Sequence, residues 1–107
     1  MSPRSECEIT IIRWRDIPAQ VVAKRGREAA KRELTPRFQV AIDRAAMYAG
    51  LFGTDEYLTE WVRDSRPCGE DLEAEAEKEA VRLEAEFTSE ILNELAGNGG
   101  IGNGGVR

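Results

Sequence analysis

The chain has 107 residues, a length that fits one domain, and 33% of them are charged, with a formal net charge of −5. Its hydrophobic content of 41% is that of a globular protein and argues against a disordered chain. The sequence has no histidine, which excludes Ser-His-Asp and Cys-His nucleophile systems and metal sites built on paired histidines. Because it also lacks a complete catalytic constellation and a cofactor motif, we expect a protein that is not an enzyme and binds neither metal nor cofactor.

The sequence shows neither a membrane span nor a secretory signal. The longest apolar run, from Ala45 to Phe52, is far shorter than the ~18 residues that a membrane-spanning helix needs. The first residues lack the apolar stretch and the cleavage site of a signal peptide. We therefore expect a cytoplasmic protein, in which Cys7 and Cys68 are reduced thiols because that compartment disfavours disulfides.

The N-terminal part of the chain predicts a β-hairpin. Residues 8–14 alternate as a strand with apolar side chains on both faces, which is typical of a central strand. A turn from Arg15 to Pro18 leads to a second predicted strand over residues 19–24, because Pro18 breaks any helix. Residues 28–34 are ambiguous and form either a third strand or the approach to a helix.

Three helices are predicted after the hairpin. Thr35 and Pro36 are typical of a helix start, and the apolar spacing that follows predicts a helix over residues 36–49. A second helix is expected to begin at Thr54, and a third to run over residues 70–96. The apolar stripe of the second helix is expected to consist of Tyr57, Leu58, Trp61 and Val62.

The C-terminal residues 97–107 are rich in glycine and asparagine, which predicts a disordered tail. The sequence thus predicts an α+β fold, in which an N-terminal β-hairpin of two strands, or three, packs against two or three α-helices. We expect one domain over residues 1–96, followed by that tail. The residues expected to be mostly buried in its core are Ile11, Phe38, Ile42, Leu58 and Trp61.

The hairpin also contains the first candidate site. Trp14 lies between Arg13 and Arg15, and Asp16 and Gln20 follow. These groups suit an anionic or planar partner, because guanidinium groups bind carboxylates through paired hydrogen bonds and an indole ring stacks on flat groups. The alternative is that Trp14 belongs to the core and that the charged groups pair with one another.

A basic cluster follows the hairpin and is the second candidate surface. Such a cluster either binds the nucleic-acid backbone electrostatically or forms an ordinary solvated face. Acidic residues concentrate in the second half of the chain, where interleaved Lys78 and Arg82 indicate a solvated helix face rather than a metal site. The members of the basic cluster are Lys24, Arg25, Arg27, Lys31 and Arg32.

The sequence Glu-Ile-Thr-Ile-Ile-Arg-Trp-Arg-Asp-Ile-Pro-Ala-Gln-Val at residues 8–21 resembles a family of small bacterial proteins described as virulence factors. The similarity continues in residues 34–38, 41–47 and 55–61, so it covers roughly residues 7–63. The resemblance implies a short cytoplasmic protein with no established activity and no catalytic residues to assign. It also implies an accessory role beside enzymes of folate- and corrinoid-dependent methyl transfer.

Residues 29–63 also resemble, in architecture, a ribbon-helix-helix DNA-binding unit, in which a short strand precedes two helices. Arg32 departs from that pattern, because its position should be apolar. The function expected from the sequence is therefore a non-enzymatic interaction or accessory protein with a protein partner. A DNA-binding regulator is the alternative, a cofactor-dependent accessory enzyme is a third possibility, and the oligomeric state stays open.

Overall fold

A computed structural model describes residues 7–102 and confirms the predicted α+β fold. Within this part of the chain, four strands form one antiparallel sheet, and four helices accompany it. The elements in chain order are β1 (Cys7–Trp14), β2 (Ile17–Arg25), β3 (Glu28–Glu33), α1 (Pro36–Tyr48), α2 (Asp55–Thr59), β4 (Trp61–Cys68), α3 (Leu72–Glu86) and α4 (Ser89–Gly97).

The strand order in the sheet is β3-β2-β1-β4, so the predicted central position of β1 is confirmed. The ambiguous residues 28–34 supply the edge strand β3. The turn between β1 and β2 is shorter than predicted and consists of Arg15 and Asp16, with Arg15 at a φ of 53°. Pro18 already belongs to β2, where β3 begins only opposite Gln20. Strand β3 therefore requires no hydrogen bond from Pro18, whose backbone has no N–H to donate.

Helix α3 packs across one face of the sheet, and α1 packs against α4 while also contacting β2. Side chains alternate along a strand, and the apolar side chains at the centre of the sheet point toward α3. Ile9 and Val21 of the sheet and Leu83 of α3 are almost fully buried at this contact. The largest fully buried side chains of the core are Trp14, Phe38, Ile9, Ile17, Ile42 and Val21.

The first predicted helix is confirmed as α1. Thr35 is the residue before it and has extended backbone, but its side chain does not cap the helix. The Thr35 hydroxyl instead donates to Oε1 of Glu84 at 2.9 Å, which ties the start of α1 to α3. The predicted burial of Phe38 and Ile42 is confirmed, with exposures of 1% and 0%.

The second predicted helix is present, but the prediction that it continues beyond Thr59 is wrong. α2 is a five-residue helix, and Trp61 and Val62 open strand β4 rather than continue a helical stripe. The reason is a pairing distant in sequence, because β4 adds to the free edge of β1 along its whole length. The predicted burial of Leu58 is also wrong, since its exposure is 65%, whereas Ile11 and Trp61 are partly buried against the core.

The predicted long helix over residues 70–96 is two helices. α3 ends at Glu86, and Thr88 starts α4 by accepting a hydrogen bond from the backbone N–H of Ile91. Phe87 lies between the two helices and places its ring 6.1 Å from the ring of Phe38. The break thus turns an aromatic side chain toward the core, at a position where a Thr cap offers a new helix start.

The C-terminal segment differs from the predicted tail at its beginning. α4 includes Gly97, and residues 98–102 pass back over the turn between β1 and β2. The backbone N–H of Asp16 donates to the carbonyl of Gly100 at 2.9 Å, and both Gly99 and Gly100 are buried. The predicted boundary at Gly97 is therefore too early, and residues 103–107 lie outside the described part of the chain.

Candidate functional site

Trp14, the aromatic residue of the first candidate site, is a core residue. Its exposure is 0%, and its indole Nε1 donates to the carbonyl of Tyr57 at 2.8 Å. The rings of Trp14 and Tyr57 stack with centroids 5.4 Å apart. Because the indole is enclosed and its only donor is satisfied, Trp14 has no surface to offer to an external planar group.

The two arginines beside Trp14 are engaged within the chain. Nε of Arg13 lies 2.6 Å from a carboxylate oxygen of Asp64, and the same guanidinium also donates to the carbonyl of Arg15. Nε of Arg15 lies 3.1 Å from Glu60, and its Nη1 donates to the carbonyl of Gly99 at 3.0 Å. The Arg15 guanidinium also lies 5.1 Å from the centroid of the Trp14 ring. These contacts tie the turn to β4 and to the C-terminal segment.

Asp16 completes this network and Gln20 does not belong to it. The carboxylate of Asp16 accepts from the backbone N–H of Gly102 at 2.7 Å and lies 3.6 Å from Nη1 of Arg13. Gln20 lies on β2 and lines a cleft on the other side of the sheet. The interpretation of Arg13 to Asp16 as a binding site stays a prediction, and its side chains already have partners inside the protein.

The basic cluster is divided between the two faces of the sheet. Arg32 donates to Glu73 at 2.7 Å and to Glu77 at 3.0 Å, so it belongs to the face covered by α3. Arg25 pairs with Glu28 of the same hairpin at 3.1 Å. Lys24 and Lys31 point to the opposite face, and Arg27 lies in the turn between β2 and β3. The sequence cluster is therefore not one surface.

The face covered by α3 carries a buried carboxylate with two arginine partners. Glu79 is 4% exposed, accepts a hydrogen bond from Arg66 at 2.7 Å and accepts a second from Arg82. The hydrogen bonds from Arg82 and then Arg66 outweigh burial and hold the pKa of Glu79 below its ordinary value. The Glu79 carboxylate is therefore ion-paired within the protein.

On the other face of the sheet, the side chains of the three rows named below are exposed or only partly buried. The strand register places its side chains in rows that run across β3, β2, β1 and β4. We call this surface the open face. Its rows are Glu33, Gln20, Ile12 and Arg63, then Lys31, Val22, Thr10 and Ser65, and finally Ala29, Lys24, Glu8 and Pro67.

The cations of the open face have no ion-pair partner within the part of the chain that the structure describes. Lys24, Lys31 and Arg63 are exposed, and their side chains make no hydrogen bond or ion pair with any residue from 7 to 102. The same holds for the carboxylates of Glu8 and Glu33, which share the face. The open face is thus a mixed surface with a small cationic excess and with charges that are available to a partner.

A cleft of about 1000 Å³ lies at one end of the open face, beside the start of α1. Ile12, Gln20 and Arg63 of the first row line it, together with Phe38 and Trp61. Trp61 stands edge-on to Tyr57, with ring centroids 6.2 Å apart. The cleft combines aromatic and aliphatic walls with an exposed guanidinium and an amide, a composition that binding sites use.

The sequence pattern does not indicate Trp61 or Arg63 as site residues, because it predicts that Trp61 lies on a helix and is buried in the core. A signal was present in the sequence, since Trp61 and Val62 are residue types that favour strands. The isolated pattern also fits a helical stripe, and only the register with β1 places Arg63 opposite Ile12. The open face therefore becomes visible only with the fold.

The ribbon-helix-helix resemblance of residues 29–63 is wrong in architecture. The segment contains the edge strand β3, helix α1, the short helix α2 and the beginning of β4. β3 pairs with β2 of the same chain, and the second long helix of such a unit is replaced by a strand. Residues 29–63 therefore do not have the strand-helix-helix order of such a unit, and the DNA-binding alternative stays a prediction.

Two features of residues 7–102 bear on the class of protein. None of their helices is both long enough and apolar enough to cross a membrane. Their Cys, Asp and Glu side chains form no group of three or more that could hold a metal ion.

Comparison with known proteins adds one match. The model of a family described as "Virulence factor" matches residues 12–96, which is more than half of the chain and extends well beyond the region of resemblance noted in the sequence. No curated protein and no solved structure matches the chain.

Proposed function

We propose that this chain, which belongs to the virulence factor family, is a non-enzymatic interaction protein. We propose that it binds an acidic partner protein on its open face. The observation that carries the proposal is that Lys24, Lys31 and Arg63 have no ion-pair partner among residues 7–102. In contrast, Arg32, Arg66 and Arg82 on the covered face all have carboxylate partners.

The composition of the open face supports a protein partner. Its central side chains, Ile12, Val22 and Thr10, are half-buried and present a modest apolar surface, while charged residues lie around them. Protein interfaces combine an apolar centre with a polar rim in this way. Because the rim cations have no partner in the described part of the chain, an acidic segment can pair with them without breaking any ion pair described there.

Charge argues against nucleic acid as the partner. The net charge of −5 repels a polyanion at long range, and Glu8 and Glu33 do so locally on the open face. A short acidic segment can align its few carboxylates with Lys24, Lys31 and Arg63 and avoid both acids. The family resemblance suggests a folate- or corrinoid-dependent methyl-transfer enzyme as the partner, and such an enzyme is the first candidate to test.

The test compares two variants with the same change in net charge. Lys31→Glu with Arg63→Glu reverses charge on the open face, whereas Arg44→Glu with Lys78→Glu reverses exposed charges on α1 and α3. Each protein is used to capture partners from native lysate, and captured proteins are identified by mass spectrometry. Affinity for the purified partner is then measured by calorimetry.

The proposal expects a partner whose affinity falls at least about tenfold for the open-face variant, remains for the control variant and weakens with salt. A partner that binds both variants equally would place the interaction elsewhere and overturn the proposal. Capture that disappears after nuclease treatment would favour the DNA-binding alternative instead.

A further inference from the structure

Cys7 and Cys68 are the two cysteines of the chain, and the fold brings them together. Cys7 is the first residue of β1 and Cys68 is the last residue of β4. The two are Cα partners in the antiparallel register, although most of the chain separates them in sequence. Their juxtaposition therefore depends on the correct pairing of the central strand with the edge strand.

The register brings the two side chains close to the geometry that a disulfide needs. Directly opposed residues point to the same face of a sheet, with Cβ atoms about 4.5–5.5 Å apart. A disulfide requires Cα atoms about 4.4–6.8 Å apart and Cβ atoms about 3.5–4.5 Å apart. Because β4 ends at Cys68 and Gly69 follows directly, a small shift of this strand end is enough to close the bond.

The two thiols differ in access to solvent. Both are reduced in the structure. Cys7 is 3% exposed, whereas Cys68 is only partly buried and packs against the edge of the core. A small oxidant therefore meets Cys68 first, and Cys7 is placed to resolve the product.

We propose that Cys7 and Cys68 form a reversible disulfide site, closed by a low-molecular-weight disulfide such as oxidised glutathione. The thiolate of Cys68 attacks one sulfur of oxidised glutathione, whose S–S bond breaks and releases one glutathione. The thiolate of Cys7 then attacks the Cys68 sulfur of the mixed disulfide and releases the second glutathione. The protein loses two electrons and two protons, and the two glutathione thiols receive them.

The residues around Cys68 raise the pKa of its thiol and thereby determine how the reaction rate depends on pH. Burial raises the pKa of the Cys68 thiol, and the carboxylate of Glu75 acts in the same direction. Cys7 and Glu8 also raise this pKa, while Arg66 opposes them. Because the thiolate is the attacking species, the exchange proceeds faster in mildly alkaline buffer than at neutral pH.

The disulfide joins edge strand β4 to the central strand and closes a loop that contains most of the described fold. Cross-linking positions so distant in sequence removes many conformations from the unfolded chain, so the oxidised protein is expected to be more stable. The site is independent of the partner that occupies the open face, because both cysteines point toward the α3 side of the sheet.

The test uses the full chain, reduced and then incubated with oxidised glutathione. Intact mass should fall by two hydrogens, peptide mapping should recover Cys7 linked to Cys68, and the melting temperature should rise by about 5 °C or more. Dithiothreitol should reverse all three changes. A chain that keeps two alkylatable thiols, or that forms only glutathione adducts or cross-linked dimers, would overturn the proposal.

Single substitutions separate the two steps. Cys7→Ser should stop at a stable glutathione adduct on Cys68, because the resolving thiol is absent. Cys7→Ala serves the same purpose if a buried hydroxyl prevents folding. Rapid loss of the Cys68 adduct in either variant would show that Cys7 does not resolve it.

Discussion

Gly100 lies against the ring of Trp14, at a backbone φ of +92° that side chains other than glycine rarely adopt. A Cβ atom built on Gly100 would meet Cζ3 of Trp14 at 3.0 Å. The contact explains how the most deeply buried aromatic residue is covered on the C-terminal side, and why a glycine stands at this position.

Gly100→Ala should therefore lower the free energy of unfolding by about 1–3 kcal/mol, because both backbone strain and the clash with Trp14 destabilise the folded state. Gly97→Ala is the matched control, since a Cβ there meets no atom within 4 Å. Urea denaturation followed by tryptophan fluorescence measures both variants. Equal stability of the Gly100 variant and the wild type would show that the segment does not pack as described.

Deleting residues 98–107 should also destabilise the protein, although the glycine-rich composition alone suggests a dispensable tail. The deletion removes the carbonyl that accepts from Asp16, the carbonyl that accepts from Arg15 and the cover over Trp14. We expect a red-shifted tryptophan emission and a lower melting temperature. A truncated protein with unchanged emission and melting temperature would contradict this packing.

Phe38→Ala should cost about 3–5 kcal/mol of stability, because the side chain is 1% exposed and its ring contacts Phe87. Val40 on the same helix is 54% exposed and supplies the control. Val40→Ala should change stability by less than about 0.5 kcal/mol. Chemical denaturation distinguishes the two, and a similar loss in both variants would mean that α1 does not pack by the face described.

The parts of the fold that the sequence predicted depend on local patterns. β1, β2 and α1 are visible because strand alternation, Pro18 and the Thr35-Pro36 helix start act within a few residues. β4 was missed because its stability comes from pairing with β1, which is distant in the sequence. The break at Phe87 was missed because its apolar spacing fits a continuous helix equally well.

The same distinction applies to the candidate site. The sequence identified Arg13, Trp14, Arg15 and Asp16 as unusual for a simple hairpin, and the structure brings them together in one network. The partners of that network, among them Glu60 and Gly99, come from other parts of the chain. The local sequence therefore reveals that polar groups are concentrated in the hairpin. It does not reveal which residues of the same chain each of these groups binds.

Arg15→Gln tests the structural role of the network directly. The substitution removes the contact with Glu60, the hydrogen bond to the Gly99 carbonyl and the contact with the Trp14 ring. We expect a loss of about 1–3 kcal/mol, because a partly buried carbonyl loses a charged donor. Arg27→Gln, in the exposed turn between β2 and β3, should be close to neutral. Thermal melts that are alike for the two variants would contradict the structural role.

The last prediction concerns acid stability and rests on Glu79. Its pKa in the folded protein is lowered from the ordinary value of 4.5, chiefly by the hydrogen bond from Arg82. A carboxylate with a depressed pKa binds its proton more weakly when folded than when unfolded, so it stabilises the fold above the ordinary pKa. That contribution disappears as the pH falls through the lower, folded-state value.

Glu79→Gln should therefore destabilise the protein at pH 7, by about 2 kcal/mol. The difference from the wild type should narrow as the pH falls from about 5 toward 3. Urea midpoints measured across this range provide the comparison. Glu90→Gln removes the same charge from an exposed position in α4 and controls for net charge. A stability difference for Glu79→Gln that stays constant from neutral to acidic pH would show that Glu79 acts by packing alone, because only an ionised carboxylate loses its advantage on protonation.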